Sequence, residues 1–322
     1  MRGLRQLLAM TACVAMLGAG QALAKEAPKD LLLKGDAKCT GCHDEADDSK
    51  PTMLDLKPSV LAIGKTKHGT NADGRTPTCT DCHGESEKHV NHKGSGKPPK
   101  PERWYGKKSD TTVEARNGSC LTCHQGGNRI GWQHSAHGSQ DVTCSSCHQV
   151  HAAKDKVRDR QTQTETCFTC HKEQRNQVNK PSHHPIVEGK MSCSSCHNVH
   201  GDNPKQLIKA TTNETCYTCH MEKRGPFIHN HEPVSEDCSI CHQPHGTTIA
   251  NLLKSRPPFL CQDCHSGTNH HRSQVGALPA NAGNVTGRDI IGTVGRGCLN
   301  CHTNIHGGNS TEESAQSGRF RR

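Results

Sequence analysis

The pentapeptide Cys-x-x-Cys-His occurs ten times along this chain and constrains its fold more than any other feature. The motifs begin at Cys39, Cys79, Cys120, Cys144, Cys167, Cys193, Cys216, Cys238, Cys261 and Cys298. On one helical turn, positions i, i+3 and i+4 share a face. Each motif therefore predicts two thiols and one imidazole that project together from a short turn.

This arrangement is the attachment signature of c-type haem. The two thiols can bond the two vinyl groups of a porphyrin while the adjacent imidazole reaches the iron. The predicted attachment residues are Cys39, Cys42, Cys79, Cys82, Cys120, Cys123, Cys144, Cys147, Cys167, Cys170, Cys193, Cys196, Cys216, Cys219, Cys238, Cys241, Cys261, Cys264, Cys298 and Cys301. The predicted proximal iron ligands are His43, His83, His124, His148, His171, His197, His220, His242, His265 and His302. The expected cofactor is therefore ten covalently bound haem c groups.

The composition of the chain indicates why it needs such a cofactor. Only 30% of the 322 residues are hydrophobic, and 2% are aromatic. A chain this polar cannot bury enough apolar surface to offset the entropy lost when it becomes ordered. We therefore expect the porphyrin faces to supply the core. The predicted fold is that of a multihaem cytochrome c, mostly irregular, with short α-helices around the motifs and little β-structure.

The N-terminal segment, residues 1–24, has the pattern of a secretory signal peptide. Arg2 and Arg5 precede an apolar region, and an Ala-Leu-Ala sequence ends at Ala24 before the predicted cleavage site. The alternatives are a membrane anchor, for which the apolar region is short, and a lipoprotein modified at Cys13, which lies in a poor lipobox. No apolar run of spanning length follows residue 24, so no transmembrane helix is expected in the mature chain.

The remaining cysteines all belong to motifs. Without Cys13, twenty of the 21 cysteines remain, which leaves no spare thiol for a separate disulfide. Export to an oxidising compartment would ordinarily favour disulfides. The histidine after every cysteine pair favours haem attachment instead. The alternative, a zinc or disulfide scaffold, predicts a protein without covalent haem.

From residue 119 the motifs are regularly spaced, with successive starts 22 to 26 residues apart until a last gap of 37. Segments 165–201 and 214–246 can be aligned by eye, so the repeating unit carries two motifs. The sequence predicts one cytochrome domain over 25–322, built as an elongated chain of five di-haem units with a disordered polar tail. The units cover about 37–92, 119–151, 165–201, 214–246 and 259–307, and the tail is 308–322.

Three local patterns predict the structure around and between the motifs. Thr162-Gln-Thr-Glu165 and Thr211-Thr-Asn-Glu214 are capping-box patterns, which predict that short helices begin there. Residues 93–118 are basic and contain Gly and Pro, which predicts a loop. Trp104 and Tyr105 in this segment are expected either to pack over a haem edge or to contact a partner.

Histidines outside the motifs can supply the second axial ligands. There are fifteen of them, whereas only Met53, Met191 and Met221 remain after signal cleavage, so bis-histidine ligation is the economical expectation. Each unit contributes one histidine between its motifs and one after the second, namely His68 and His89, His137 and His151, His184 and His200, His231 and His245, and His270 and His306. The surplus comprises His92, His134, His183, His229 and His271, of which His92 is an alternative to His89 and His271 to His270. Which distal histidine binds which iron stays open, because neighbouring motifs can exchange ligands.

Complete ligation favours electron transfer over catalysis. If both axial positions of every iron are filled, no substrate reaches the metal, and histidine pairs favour low reduction potentials. All ten motifs end in His, whereas a Lys at this position often marks the open iron of a multihaem reductase. We therefore expect an electron carrier without catalytic residues. The alternatives are a multihaem oxidoreductase with one open site and a freely diffusing periplasmic shuttle.

The basic charge of the chain does not require a nucleic-acid partner. The formal net charge is +9, or +7 without Arg2 and Arg5. Ten ferric haems with ionised propionates, each contributing about −1, bring the total to about −3. We therefore expect the Lys and Arg side chains to neutralise propionates rather than nucleic acid or an anionic membrane.

The sequence resembles the periplasmic decahaem cytochromes of outer-membrane porin–cytochrome conduits, which occur in metal-reducing and iron-oxidising bacteria. The resemblance extends over essentially the whole mature chain, and departures are confined to loops 44–66, 93–118 and 272–296. It is carried by Cys144-Ser-Ser-Cys-His-Gln-Val-His151-Ala-Ala-Lys-Asp, by Glu214-Thr-Cys-Tyr-Thr-Cys-His-Met-Glu-Lys-Arg-Gly-Pro226, and by Gly297-Cys-Leu-Asn-Cys-His302 with His306-Gly.

The resemblance implies an elongated haem wire, similar to two pentahaem cytochromes in tandem, that is inserted from the periplasm into a β-barrel outer-membrane porin. It also implies periplasmic or inner-membrane cytochromes as partners, and an outer-surface multihaem cytochrome as a further partner. Relatives pass electrons outward to ferric minerals or inward from ferrous iron, in a direction set by the partners' potentials. The porin is physically necessary to such a role, since a hydrocarbon layer about 30 Å thick excludes irregular polar backbone.

Overall fold

The computed structural model of this chain describes residues 37–40, 42–43, 60–69, 76–106, 108–265, 298–300 and 302–309. The predicted signal peptide, most of the predicted tail, Cys301, and the candidate ligand His270 with its alternative His271 lie outside the described residues.

Short helices joined by turns and irregular segments make up the described chain. The α-helices are α1 (Ala37–Thr40), α2 (Cys79–His83), α3 (Glu87–Val90), α4 (Val113–Leu121), α5 (Ala136–Ser139), α6 (Gln163–Cys167), α7 (Lys172–Gln177), α8 (Thr212–Cys216), α9 (Glu232–Glu236) and α10 (Phe259–Gln262). The 3-10 helices are Val60–Lys65, Lys67–Gly69, Gly127–Arg129, Trp132–His134, Cys144–Ser146, Lys156–Arg158, Cys193–Ser195, Pro204–Gln206, Met221–Lys223, Cys238–Ile240, Ala250–Leu252 and Cys298–Asn300.

Backbone pairing between separate segments is sparse. The isolated bridges join Ser182 with Thr247, His197 with Leu207, His229 with Gly308, and His242 with Leu253. Within the described ranges no β-strand forms. The expectation of a fold made of short helices with little β-structure is therefore confirmed.

The predicted loop over 93–118 is wrong at its C-terminal end, where α4 begins at Val113. The Thr112 side chain caps this helix by accepting a hydrogen bond from the Ala115 amide at 3.3 Å. Gly and Pro are concentrated before residue 107, whereas 113–118 contains good helix formers such as Glu114. Averaging the composition over the whole segment concealed this boundary.

The two capping-box predictions have different outcomes. At α8 the Thr211 hydroxyl accepts from the Glu214 amide at 3.1 Å, as predicted. At α6 the helix begins where it was expected, but Thr162 makes no side-chain cap. Its hydroxyl donates instead to the Lys156 carbonyl at 2.8 Å. The box prediction is therefore wrong at Thr162, because its backbone is already helical, with φ −110° and ψ −7°, and its hydroxyl is oriented toward the neighbouring 3-10 helix.

The interior of the described protein contains little apolar side-chain surface. Its buried hydrophobic residues are Trp132, Val178 and Leu207, whereas its buried polar residues are Asn117, Ser135, Thr143, Gln163, Gln177, Ser192, Asn213, Thr215 and Thr247. Large apolar side chains stand exposed at Ile130, Val150, Val187, Met221, Ile228, Ile240, Phe259 and Leu299. This pattern fits the expectation that porphyrin faces, and not side chains, complete the core.

The chain divides into two compact units. One contains residues up to Glu102 together with His151–Ala153, and the other contains Arg103–Val150 and the residues from Lys154 onward. The first unit therefore holds the first two motifs and the second holds eight, so the boundary does not fall between the fifth and sixth motifs. No helix of the described ranges is long and apolar enough to cross a membrane.

Candidate haem-binding sites

A single helical turn presents the reactive side chains of the motifs, as far as the structure describes them. In nine motifs the amide of the histidine donates to the carbonyl of the first cysteine at 2.8 to 3.1 Å. In the motif that begins at Cys79, helix α2 spans all five residues. This turn brings the first cysteine and the histidine onto one face, which is the arrangement that covalent attachment of a haem above an axial imidazole requires.

First and second motifs of the pairs in the larger unit differ in backbone structure. Each first motif begins within an α-helix, so that Cys120, Cys167, Cys216 and Cys261 belong to α4, α6, α8 and α10. Each second motif begins instead with a 3-10 helix, at Cys144, Cys193, Cys238 and Cys298. This alternation follows the two-motif period of the sequence.

A buried side-chain amide joins the two motifs in three of these pairs. Asn213, three residues before Cys216, donates to the carbonyls of Val234 and Ser235 at 2.9 and 3.0 Å. Its oxygen accepts from the Cys238 amide at 2.7 Å. Because Asn213 is 7% exposed, these bonds satisfy a polar group that would be costly to bury alone.

The other two amides repeat this arrangement. Asn117 donates to the Val142 carbonyl at 3.1 Å and accepts from the Cys144 amide at 2.9 Å. Gln163 donates to the Val157 carbonyl at 2.8 Å and accepts from the Ser194 amide at 2.9 Å. We call Asn117, Gln163 and Asn213 the bridging amides. No motif marks them in the sequence, and their one shared signal is a position three or four residues before a first motif.

The thiols of paired motifs also meet. The thiols of the first cysteines interact in three pairs, Cys120 with Cys144, Cys167 with Cys193, and Cys216 with Cys238. This interaction lowers the pKa of one thiol in each pair, in Cys120, Cys193 and Cys216, to about 7, and raises the pKa of its partner. In the last pair, burial is the main cause that raises the pKa of Cys261 to about 11, and Cys298 adds to it. The attachment points of two neighbouring haems are therefore side by side.

Among the residues that the structure describes, eight pairs can be seen in which a motif histidine faces a histidine from outside the motifs. The distances between ring centroids are 6.1 Å for His43 and His89, 6.3 Å for His83 and His151, 5.9 Å for His171 and His137, 6.0 Å for His148 and His200, 6.3 Å for His220 and His184, 5.9 Å for His197 and His245, 6.2 Å for His265 and His231, and 6.1 Å for His242 and His306. All eight partners belong to the predicted set of distal ligands.

The separation of these rings fits a metal ion between them. Two metal–imidazole bonds of about 2 Å place the ligating nitrogens about 4 Å apart, and ring radii of roughly 1 Å extend the centroid distance to about 6 Å. The observed range of 5.9 to 6.3 Å matches this value. The ring planes are within 8° to 21° of parallel in five pairs, and they are inclined by 48° to 82° in three.

The partners are exchanged between motif pairs in a regular order. A second motif faces the histidine that follows the second motif of the next pair, as His197 faces His245. A first motif faces the histidine that lies between the motifs of the preceding pair, as His220 faces His184. His43 differs, since it faces His89 of its own pair.

Backbone contacts fix the histidines that come from two different pairs. Ser182, two residues before His184, exchanges two backbone hydrogen bonds with Thr247, two residues after His245, at 3.1 and 2.8 Å. The His184 ring hydrogen-bonds with the Pro244 carbonyl at 2.8 Å. The next pair repeats the bridge between His229 and Gly308, beside His231 and His306.

Glycine follows several distal histidines because the backbone approaches closely there. Gly246 has a φ of +148°, and a Cβ atom at this position would lie 2.1 Å from the Gln177 carbonyl oxygen. Gly307 has a φ of +139°, and its Cβ atom would lie 2.2 Å from the Phe227 ring. The His-Gly dipeptide is therefore a sequence signal for this type of distal histidine.

Burial is the main cause that lowers the pKa of five paired histidines, His43, His200, His231, His245 and His306. Neighbouring cationic groups, above all the facing imidazole at four of these residues, act in the same direction. Both effects favour the neutral imidazole, which is the form that binds a metal.

The remaining predicted residues stand as follows. His68 is half-buried in the 3-10 helix Lys67–Gly69, and His124 and His302 lie on their motif turns. Among the surplus histidines, His183 hydrogen-bonds with the Lys180 carbonyl and, at 2.9 Å, with Glu188. His92 and His134 are exposed.

The Tyr105 hydroxyl hydrogen-bonds with Ser119 of α4, which anchors that aromatic side chain.

Comparisons with known proteins agree with the repeated Cys-x-x-Cys-His motifs. The doubled CXXCH motif family matches residues 183–225 and 231–270, and the family described as cytochrome c-type protein NrfB-like matches residues 79–163. The chain is 39% identical over 284 residues to the multiheme cytochrome MtrA of Shewanella baltica (strain OS185). The alignment covers 86% of this chain and 79% of that relative.

Proposed function

Since this chain belongs to the MtrA family of multihaem c-type cytochromes, we propose that it is a periplasmic decahaem wire that carries electrons through an outer-membrane porin. Haem binding and electron transport are properties of the family. The proposal adds that all ten haems are bis-histidine ligated, and that the wire serves ferrous iron oxidation or ferric mineral reduction.

One observation carries the ligation proposal, namely the eight imidazole pairs with centroids 5.9 to 6.3 Å apart. The proposed distal set adds His68 and His270 to the eight histidines of these pairs. The twenty cysteines of the motifs hold the porphyrins by thioether bonds, and the ten motif histidines are the proximal ligands. When bound, each haem supplies a one-electron ferric/ferrous couple.

The side chains of this protein then position the cofactors and exclude substrates from the iron. With an imidazole from each side, the bound iron would have no position for nitrite, hydroxylamine or another small ligand, so no catalytic residue is proposed. The second cysteines of adjacent pairs also lie near each other, since Cys170 adds to the rise in the pKa of the Cys147 thiol that burial mainly causes. The haem-attachment turns of adjacent motif pairs are therefore neighbours in the fold.

The ligation proposal is tested by spectroscopy of the complete cytochrome, expressed together with a c-type haem maturation system. We expect covalent haem on a denaturing gel, ten haems per chain, and low-spin six-coordinate spectra for all of them. A stoichiometric high-spin haem in the resting protein would favour a multihaem oxidoreductase with one open site. The absence of covalent haem would favour a zinc or disulfide scaffold.

The porin association is supported by the family and by the polar nature of the chain. Loops rich in Gly, Lys and Asn suit a water-lined passage better than lipid, which excludes irregular backbone. The proposed partners are a β-barrel porin, periplasmic or inner-membrane cytochromes, and an outer-surface multihaem cytochrome.

Reconstitution with the neighbouring porin tests this part of the proposal. With the cytochrome and porin in liposomes, external ferrous iron or an internal reduced donor should transfer electrons to an acceptor on the opposite side, and the two arms give the direction. Liposomes with porin alone are the control. If electrons cross no faster with the cytochrome than without it, a freely diffusing periplasmic shuttle is the better account.

A further inference from the structure

The proximal histidines of three second motifs differ in what their outer ring nitrogen contacts. The Nδ1 atom of His197 hydrogen-bonds with the Lys205 carbonyl at 3.1 Å, and that of His242 with the Asn251 carbonyl at 2.8 Å. The Nδ1 atom of His148 contacts a carboxylate oxygen of Asp155 at 2.6 Å. Two sites thus use a neutral backbone acceptor and one uses a charged side chain.

The backbone after each motif explains the difference. Lys205 and Asn251 each lie in a left-handed conformation, with φ of 56° and 60°, and each begins a turn that aims its carbonyl at the ring. In the segment 149–158, which the structure describes throughout, no residue adopts this conformation. The chain there provides no equivalent carbonyl turn, and the Asp155 side chain supplies the acceptor.

Asp155 is held in place for this contact. Its second carboxylate oxygen accepts from the Gln149 amide at 3.3 Å. One carboxylate therefore contacts both His148, the last residue of the motif, and Gln149, the residue after it. The Asp155 side chain is 17% exposed and the His148 ring 34%. A charge-assisted hydrogen bond of this length, partly shielded from water, is stronger than a bond to a neutral carbonyl.

We propose that Asp155 is a positioning residue that gives the haem at His148 a lower reduction potential than the haems at His197 and His242. This inference rests on the proposed ligation of that haem by His148 and His200. With Nε2 on the iron, Nδ1 carries the proton and donates it toward the carboxylate, which makes the imidazole a more basic ligand. A more basic ligand with a negative charge nearby stabilises ferric over ferrous iron, and hydrogen bonding around the ligands is one of the means by which proteins set haem potentials.

The redox step itself is simple. One electron from a neighbouring haem converts the ferric iron to ferrous iron, no bond is broken, and the Nδ1 proton stays between the ring and Asp155. Because Asp155 opposes the added electron, this haem is the last of the three to be reduced. An electron on this haem would therefore be less stable than an electron on the haems at His197 and His242.

The Asp155→Asn variant tests the inference in the complete decahaem protein. Asn keeps an oxygen for the Gln149 amide but removes the charge that faces His148. We expect one of the ten component midpoints in a spectroelectrochemical titration to move to a more positive potential. The expected shift corresponds to about a tenfold change in the reduced-to-oxidised ratio at a fixed potential, the typical difference between charged and neutral hydrogen bonds. The low-spin electron paramagnetic resonance signal of one haem should change with it, and Asp155→Glu should restore much of the original potential.

Asp159→Asn is the matched control. It removes the same charge four residues away, where the carboxylate accepts from the Gln161 amide at 2.9 Å. Ten unchanged midpoints in the low-spin Asp155→Asn protein, or an equal shift in the control, would overturn the inference. Should Asp155→Asn lose haem, Asp155→Ser provides the same comparison. A high-spin haem in the unsubstituted protein would count against the ligand set of the proposed function, whereas the difference between the two variants would still decide the role of Asp155.

Discussion

In the third and fourth motif pairs, the histidine of the first motif faces an imidazole from the preceding pair, whereas the histidine of the second motif faces an imidazole from the following pair. His220, in a first motif, faces His184 from the preceding pair, whereas His197, in a second motif, faces His245 from the following pair. The repeat of the sequence and the repeat of the proposed coordination are therefore offset. A motif pair is not a self-contained haem unit, and removing a ligand from one pair should damage the site of its neighbour.

The sharpest test of this offset is His245→Ala, for which we expect the largest effect. The substitution removes the ring that faces His197, so one haem in ten should become high-spin while its covalent attachment remains. Absorption and magnetic resonance spectra measure this change. Replacing both Cys193 and Cys196 in the same protein should abolish the high-spin signal, because these cysteines hold the affected haem.

His183→Ala is the control for that experiment. Its ring bonds with Glu188 and the Lys180 carbonyl and is not one of the paired ligands, so all haems should remain low-spin. A high-spin haem that persisted without Cys193 and Cys196 would contradict the exchange between pairs.

Replacing Gly246 by Ala should disturb the same ligand from its backbone side. A Cβ atom would meet the Gln177 carbonyl oxygen at 2.1 Å, and the φ of +148° is unfavourable for an L side chain. We expect a loss of about 1–3 kcal/mol in the free energy of unfolding, measured by chemical denaturation. Gly189→Ala is a comparison with a positive φ but open space around the Cβ position, so it should cost less. Equal losses would show that close approach at Gly246 is unimportant.

The bridging amide Asn213 tests how the first motif holds the second. Asn213→Leu leaves the Cys238 amide and two carbonyls without their partner, which should cost about 1–3 kcal/mol of stability. Hydrogen exchange at the Cys238 amide should also quicken. Asn179, whose side chain bonds only within its own helix region to the Arg175 carbonyl, is an exposed control position for the same substitution. If Asn179→Leu were as destabilising, the bridge would have no special role.

The smallest expected effect concerns the ring planes. The His137 and His171 rings are inclined by 82°, whereas the His148 and His200 rings are inclined by 16°. Because the low-spin ferric signal depends on the relative orientation of its axial rings, we expect two groups of haem signals in electron paramagnetic resonance. His137→Ala should remove a signal of the strongly inclined group, and His200→Ala one of the near-parallel group. A spectrum with a single uniform class would contradict these angles.

Much of the site could be predicted because its chemistry is local. Two thiols and an imidazole must share one turn, so the attachment residues can be predicted directly from their spacing, and the His-Gly and Cys-His-x-x-His patterns mark most of the proposed distal histidines. The helix boundaries and caps were harder to predict from the sequence. At Thr162 the cap depends on where the hydroxyl is oriented in the fold. At Val113 the boundary depends on where good helix formers begin, which the average composition of residues 93–118 does not show.

The cofactor type, the number of attachment motifs and the two-motif period could be predicted from the sequence, because Cys-x-x-Cys-His places two thiols and an imidazole on one turn, as covalent haem attachment requires. Which imidazoles face each other could be seen only in the folded chain. That choice depends on backbone bridges such as Ser182 with Thr247 and on the bridging amides, which join segments far apart in the chain. The proposed role of Asp155 also depends on the tertiary structure, because only folding brings this carboxylate, seven residues after His148 in the chain, against the His148 ring.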